Sequence, residues 1–140
     1  MKKIHLSLLV VVMITLISCD PIVNYEKIIN NQTDHNISLI VLGTDSLGNN
    51  VPVDTILINK QTEKVIYNEG GIGQVQEYQN CPGAYYLSDS YKTKIDNDTL
   101  LSLDSILEMP SKWKFEVIKE SKVKGGSCQC KLIIHPENIN

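Results

Sequence analysis

The sequence predicts an all-β fold, a single antiparallel β-sandwich of the Ig-like kind with about seven or eight strands. Two observations predict it. Short segments rich in β-branched and aromatic residues follow one another, and turn residues separate them every eight to twelve residues or so. No stretch sustains the period of about 3.6 residues that marks an amphipathic helix. A small open barrel is the alternative, and the chain contains no internal repeat or second domain.

Four strands are predicted in the first half of the domain. The first is Tyr25 to Asn30, after which the polar cluster 31–36 turns the chain. The apolar run 37–42 is short enough to be a buried strand, and residues 51–59 alternate as a third strand does. Residues 64–67 form a short fourth strand, and the glycine-rich stretch 70–73 breaks it.

The second half predicts a long strand and a hairpin at the C-terminus. Residues 85–95 read as the strand, and residues 103–109 as one helical turn before Pro110. Trp113, Phe115 and Val117 alternate with charged residues, which is typical of a half-buried strand. The glycines of 124–127 then join this strand to the last one. The last strand places four apolar residues on the face opposite His135: Cys128, Cys130, Leu132 and Ile134.

Residues 1–20 have the organisation of an export signal. Lys2 and Lys3 give a cationic start, and residues 6–17 form an almost unbroken apolar run. A cationic start, an apolar region of about 7–15 residues and a small residue at the break describe a secretory signal peptide. The run is too short to cross a bilayer, which needs about 20 apolar residues.

The end of this leader, Leu16-Ile17-Ser18-Cys19, resembles the lipobox of bacterial lipoproteins. The resemblance implies cleavage before Cys19, diacylation of its sulfur and acylation of its new amino group. Several acyl chains together give stable anchoring to a membrane. The competing interpretation is an ordinary signal peptide with a coincidental cysteine. The predicted organisation is a signal peptide at 1–18, a lipidated tether at 19–24 and a β-sandwich domain at 25–140.

Composition limits the classes of partner. Once Lys2 and Lys3 leave with the leader, 11 lysines face 16 acidic residues, which gives a net charge of −5. An acidic chain lacks the basic stripe that nucleic acid requires, so no nucleic-acid partner is predicted. The chain has no arginine, the residue best suited to bidentate recognition of carboxylates and phosphates.

The mature chain also resembles the small single-domain lipoproteins of Gram-negative envelopes. The resemblance lies in the order of β segments, from "DHNISLIVLG" through "NKQTEKVIY" and "LSDSYKTKIDND" to the hairpin that ends in "CKLIIHPENI". It covers most of the mature chain and implies a β domain in the envelope. It implies no activity, because that class has no assigned function.

Three cysteines remain after Cys19, and outside the cytoplasm a disulfide is the default expectation. Cys128 and Cys130 lie two apart on one strand, with Cα atoms about 6.6–6.8 Å apart at the usual rise. This spacing is at the edge of the range that a disulfide bridges. The sequence therefore favours Cys81 paired with either Cys128 or Cys130, and leaves one thiol as a small hydrophobic residue.

A metal or redox site is the alternative use of these cysteines. Cys81, Cys128, Cys130 and His135 would be the ligands, but His135 falls on the face opposite the two cysteines of its strand. The paired C-x₂-C spacing of zinc sites is also missing. No metal or cofactor is predicted. An exposed Cys128-Cys130 pair with a depressed thiol pKa would instead indicate redox chemistry.

A short pattern occurs four times, more often than composition alone accounts for. Asp, then Ser or Thr, then an aliphatic residue is found at 45–47, 54–56, 98–100 and 104–106. The pattern resembles the O-glycan acceptor motif of exported proteins in one group of Gram-negative bacteria. The competing explanation is turn chemistry, in which Asp turns the chain before a strand. The candidate acceptors are Ser46, Thr55, Thr99 and Ser105, with Thr55 the weakest because a strand would bury its hydroxyl.

No constellation of residues predicts catalysis. The histidines have no nucleophile or carboxylate at an interpretable spacing, and the carboxylates are scattered through turns. The prediction is a non-enzymatic, lipid-anchored binding or structural module of the cell envelope. Its partners would be the membrane, through the lipid, and an envelope protein or glycan. The outer membrane, on its periplasmic or surface face, is favoured over the inner membrane. A small thiol, redox or metal-binding protein is the alternative.

Overall fold

The computed structural model describes residues 21–81, 91–96, 98, 100–103, 105–121 and 124–140. Within these residues the chain forms seven strands in two sheets, so the predicted β-sandwich is confirmed. The strands are β1 Ile22–Asn31, β2 Ile37–Thr44, β3 Asn50–Ile58, β4 Thr62–Ile72, β5 Tyr91–Ile95, β6 Lys114–Glu120 and β7 Gly126–Ile134. Short 3-10 helices cover Val75–Tyr78, Ser105–Glu108, Pro110–Lys112 and Pro136–Asn138. The second of these is the helical turn that the sequence predicted before Pro110.

The two sheets have the strand orders β4-β1-β7-β6 and β3-β2-β5. Inward-facing residues from both sheets form the core, because alternate residues of a strand point to one face. The fully buried core residues include Val23, Tyr25, Ile29, Ile37, Leu39, Ile58, Ile95, Leu132 and Ile134. The predicted inward face of the last strand is confirmed, with Cys128, Cys130, Leu132 and Ile134 all buried.

One pair of strands departs from the antiparallel arrangement that the sequence predicted. The central strands β1 and β7 are parallel, with Val23 opposite Gly126 and Asn31 opposite Ile134. Hairpin-connected strands must be antiparallel, but β1 and β7 are the first and last strands and have no short connection between them. Because they are parallel, β1 and β7 begin together at one end of the sheet. They finish together at the other end, about 26 Å away at the usual rise per residue.

Two strand boundaries differ from the sequence-based expectation. β1 begins at Ile22 and buries Val23, so the domain starts inside the segment 19–24 that was predicted as a tether. β4 runs on through Gly70 and Gly71, which the sequence analysis took as a break. These glycines stay extended because they pair with Asn24 and Val23 of β1 along the ladder. Of the predicted strand 85–95, residues 82–90 lie outside the described part of the chain.

The β6–β7 hairpin follows the prediction, but the alternation of buried and exposed residues becomes weaker along β6. Trp113 is buried just before β6, Phe115 is half-buried, and Val117 is exposed. Gly126 opens β7 with a φ of 144°, where a Cβ atom would collide with the carbonyl oxygen of Lys119. Only glycine fits this backbone conformation without strain. No helix among the described residues has the length and apolar character needed to span a membrane.

Candidate functional site

A disulfide joins Cys81 and Cys130, with Cα atoms 5.6 Å apart. Cys81 follows the 3-10 helix Val75–Tyr78, and its N–H donates to the carbonyl of Tyr78. Cys130 lies in the middle of β7 with its side chain in the core. The sequence analysis left open whether Cys81 pairs with Cys128 or Cys130, and the structure assigns Cys130. The bridge attaches the segment after β4 to the central strand of the first sheet.

Cys128 is a free thiol, and its surroundings are those of a core residue. The side chain is 1% exposed, and burial raises the pKa of the thiol. Reactive thiols have the opposite features, namely a depressed pKa and access to solvent. These features favour a structural role for Cys128. Among the described residues, no group of three or more His, Cys, Asp or Glu side chains could hold a metal ion.

Three tyrosines pack beside the disulfide in the core. The rings of Tyr25 and Tyr78 have centroids 4.6 Å apart, and Tyr67 meets Tyr25 edge-on at 6.1 Å. Tyr25 is fully buried, and burial raises the pKa of its hydroxyl well above the ordinary value. Aromatic pairs of this geometry contribute to packing beyond their buried area. This cluster is therefore part of the core, and Tyr25 is not available as a contact surface.

A groove of about 490 Å³ lies between the ends of β6 and β7 and the short helices that flank them. Its apolar lining comes from Ile106, Leu132 and Ile133. Charged side chains surround this lining, namely Lys112, Lys114, Lys131, His135, Glu116 and Glu137. Sequence reasoning missed the groove because its residues come from five separate elements. His135, which the sequence offered only as a ligand of the alternative metal site, is one of them.

Two of the three lysines that line the groove, Lys114 and Lys131, form ion pairs. Lys114 and Lys131 lie directly opposite each other on β6 and β7, an arrangement of like charges that destabilises a sheet unless it is compensated. Lys114 Nζ lies 2.9 Å from Glu116 Oε1, and Lys131 Nζ lies 2.9 Å from Glu63 Oε2. Lys114 and a hydrogen bond from Gln129 hold the pKa of Glu116 below its ordinary value. The groove is thus a mixed-charge site over an apolar floor.

The groove lies at the end of the sheet where β1 and β7 finish. Lys131 pairs with Ile28 and Ile133 with Asn30, so the groove residues of β7 follow the second half of both strands. Ile22 marks the other end of the sheet, where β1 and β7 begin. A ligand in the groove would bind far from the point at which the chain enters the domain.

A second polar cluster, which sequence reasoning also missed, joins the β1–β2 turn to the turn after β5. His35 Nδ1 lies 2.8 Å from Asp96 Oδ2, and both the backbone N–H and the side-chain amide of Asn36 donate to Asp96 Oδ1. These groups are about 60 residues apart in sequence, so no local spacing could indicate their contact. Asp96 adopts a φ of 46° in the turn after β5. Its contacts explain why an aspartate accepts that backbone conformation, which asparagine and aspartate tolerate better than most residues.

We expect this cluster to make the free energy of unfolding of the domain decrease as the pH falls into the acidic range. The hydrogen bond from the backbone N–H of Asn36, and then that from His35, lower the pKa of Asp96 below its ordinary value of 3.8. Protonation therefore favours the unfolded state, and this contribution is present above about pH 4 and is lost as pH falls. Asp96→Asn should flatten the acid side of the stability profile, measured by urea denaturation at a series of pH values. Asp34→Asn, which removes a charge from the neighbouring turn, is the matched control, and an unchanged profile in Asp96→Asn would contradict the expectation.

The other predicted site residues are placed as follows. Cys19 and Thr99 lie outside the described residues, and Ser105 begins a 3-10 helix. Ser46 is exposed in the loop between β2 and β3. Thr55 lies within β3, as expected, but is exposed because β3 is an edge strand with β2 as its one neighbour in the sheet. The expectation that the strand would bury its hydroxyl is wrong.

Comparison of the chain with protein-family models, with curated proteins and with solved structures found no match.

Proposed function

We propose that the protein is a lipid-anchored, non-catalytic binding module of the cell envelope that presents the groove away from the membrane. The lipobox at residues 16–19 supports the anchor. The position of the groove at the opposite end of the sheet from Ile22 is the observation that carries the proposal. An anchor three residues before Ile22 would hold one end of the sandwich at the lipid and leave the groove accessible to an envelope protein or glycan.

The anchor is tested by metabolic labelling of the native host with an alkyne analogue of palmitate. We expect the full-length protein to incorporate the label and to sediment with membranes, because acylation of Cys19 would supply more than one chain. Cys19→Ala should abolish both labelling and processing. Cys128→Ala is the matched control and should be labelled as the wild type is. Labelling of the Cys19→Ala protein would refute the anchor.

The binding role is tested by cross-linking in intact cells followed by purification of the tethered protein. Lys112 lies in the groove on an exposed turn, so Lys112→Glu should change the groove charge without disturbing the core. A partner of the groove should be enriched at least several-fold with the wild type and lost with Lys112→Glu. Lys119→Glu, on β6 outside the groove lining, is the matched control and should retain it. Recovery of bulk membrane proteins alone would count against a binding module.

We further propose that Ser46 carries an O-glycan, on the strength of its exposure and its acceptor-like motif. Turn chemistry is also present there, since Asp45 Oδ1 accepts from the backbone N–H groups of Leu47 and Asn49. The two explanations predict different masses for the native protein. Intact mass spectrometry of native protein should show a mass above that of the sequence, reduced in Ser46→Ala and unchanged in Ser121→Ala, whose serine follows a glutamate. An unmodified wild-type mass would eliminate the glycan.

A further inference from the structure

The end of the sandwich where the chain enters carries an exposed pair of isoleucines. Ile22 of β1 and Ile72 of β4 are cross-strand partners, and each side chain is 73% exposed. The pair is held rigidly, since the N–H of Gly73 donates to the carbonyl of Pro21 just beyond it. Single exposed apolar residues are ordinary on a surface. Two exposed isoleucines that are neighbours at the last residue pair of β1 and β4 form a larger apolar surface, which calls for an explanation.

The position of the predicted anchor supplies that reason. Cys19 precedes Ile22 by three residues, and three extended residues reach at most about 11 Å. If Cys19 is acylated, the bilayer surface must therefore lie within that distance of Ile22. This step rests on the lipid anchor proposed above. A tether this short leaves little room for the domain to turn the isoleucines away from the lipid.

The charges at this end neither repel nor strongly attract a lipid headgroup. Lys124 is exposed in the β6–β7 loop, whose backbone carbonyl accepts the N–H of Val75. Glu77 lies on the 3-10 helix that follows Gly73, and its carboxylate accepts the N–H of Gln74. With both signs present, the apolar pair is the feature that distinguishes this surface. Amphipathic surfaces bind the headgroup region through their buried apolar area.

We propose that the Ile22–Ile72 end of the sandwich rests on the bilayer, with both isoleucine side chains inserted among the lipid headgroups. The tether and the apolar pair then fix the orientation of the domain together. β1 and β7 rise from the membrane in parallel, and the groove is displayed along their second half, about 16–26 Å further out at the usual rise per residue.

The test uses the full-length lipidated protein in vesicles of phosphatidylethanolamine and phosphatidylglycerol. An environment-sensitive maleimide dye is attached at Ile72→Cys, and at Leu100→Cys as the matched control. Leu100 is 88% exposed and follows β5, which ends beside Ile37 at the groove end of the sandwich. The native thiols do not compete, because Cys81 and Cys130 form the disulfide and Cys128 is buried. The dye fluorescence is then compared in vesicles with and without brominated acyl chains.

We expect brominated lipid to reduce the fluorescence at position 72 by about two-fold and to leave position 100 unchanged, as for a group at the headgroup boundary. Adding Ile22→Asp to the Ile72→Cys protein should relieve the quenching, since it replaces the remaining isoleucine at this surface by a charge. An equal effect of brominated lipid on the fluorescence at both positions, in protein that floats with the vesicles, would overturn the orientation while leaving the anchor intact.

Three further outcomes would also overturn the proposal. Protein that fails to float with the vesicles would refute the anchor, and the orientation with it. A change in dye fluorescence at position 72 on dilution with unlabelled protein, without brominated lipid, would show that a second copy covers the isoleucines instead. Quenching that persists unchanged in Ile22→Asp would show that the tether alone positions this end.

Discussion

Replacing Cys81 and Cys130 together by alanine is expected to lower the free energy of unfolding by about 4 kcal/mol. The bridge closes a loop with a sequence separation of 49, and a loop of that size strongly restricts the unfolded chain. Both sulfurs are also buried, so the variant loses packing in the core as well. Natural domains have only about 5–15 kcal/mol of stability. Chemical denaturation of the oxidised wild type and the double variant measures the difference.

The control for this prediction is the third cysteine of the domain. Cys128→Ala removes one buried sulfur from the same strand without opening a loop, and a small cavity of this kind costs about 1 kcal/mol. Non-reducing peptide mass spectrometry should recover Cys81 linked to Cys130, and Cys128 free once the protein is denatured. A loss in Cys128→Ala equal to that in the double variant would contradict the assignment of the bridge.

The cysteines show how far the sequence can determine a contact. The Cα separation expected for Cys128 and Cys130 is at the upper edge of the range that a disulfide bridges, so the sequence favoured Cys81 as one partner. The choice between the other two depends on which sulfur faces the segment after Val75–Tyr78, and both side chains point to the same face of β7. That choice is made by the tertiary packing of the segment, which local spacing does not encode.

The fold class was predictable because strand alternation and turn residues are local signals. The alternation is clear in β7 and in the first residues of β1. Every second residue from Val23 to Asn31 is buried, but Lys27 occupies one of these inward positions, and Ile28, on the opposite face, is buried as well. Lys27 reaches this position because its ammonium lies 4.6 Å from the centroid of the Trp113 ring, and burial lowers its pKa. A lysine in a core strand is not foreseeable from hydrophobic pattern alone.

The groove and the turn cluster could not be predicted because their residues meet only in the folded chain. Lys114 and Lys131 become neighbours through the register of β6 and β7, and the register depends on the tight backbone at Gly126. His35 and Asp96 meet because β5 pairs with β2, which places the end of one strand beside the start of the other. Sequence reasoning identified each residue by type but had no information about its partner.

Asn31→Ala is expected to lower the free energy of unfolding by about 3 kcal/mol, because it leaves several buried backbone groups without partners. Asn31 is fully buried at the end of β1. Its side-chain oxygen accepts hydrogen bonds from the backbone N–H and the hydroxyl of Thr33, at 3.0 and 2.8 Å. Its side-chain nitrogen donates to the carbonyls of His35, Ile58 and Asn59. One amide thus holds the β1–β2 turn to the end of β3.

The matched control is Asn68→Ala on β4, where an exposed asparagine donates to Glu26, and its expected effect is within about 0.5 kcal/mol. Asn31→Asp is the informative second variant, since it keeps the oxygen that Thr33 needs and removes both donors. We expect it to destabilise the domain as well, because carbonyls cannot pair with a carboxylate. Urea denaturation distinguishes the three, and a loss below about 1 kcal/mol in Asn31→Ala would show that water replaces the amide.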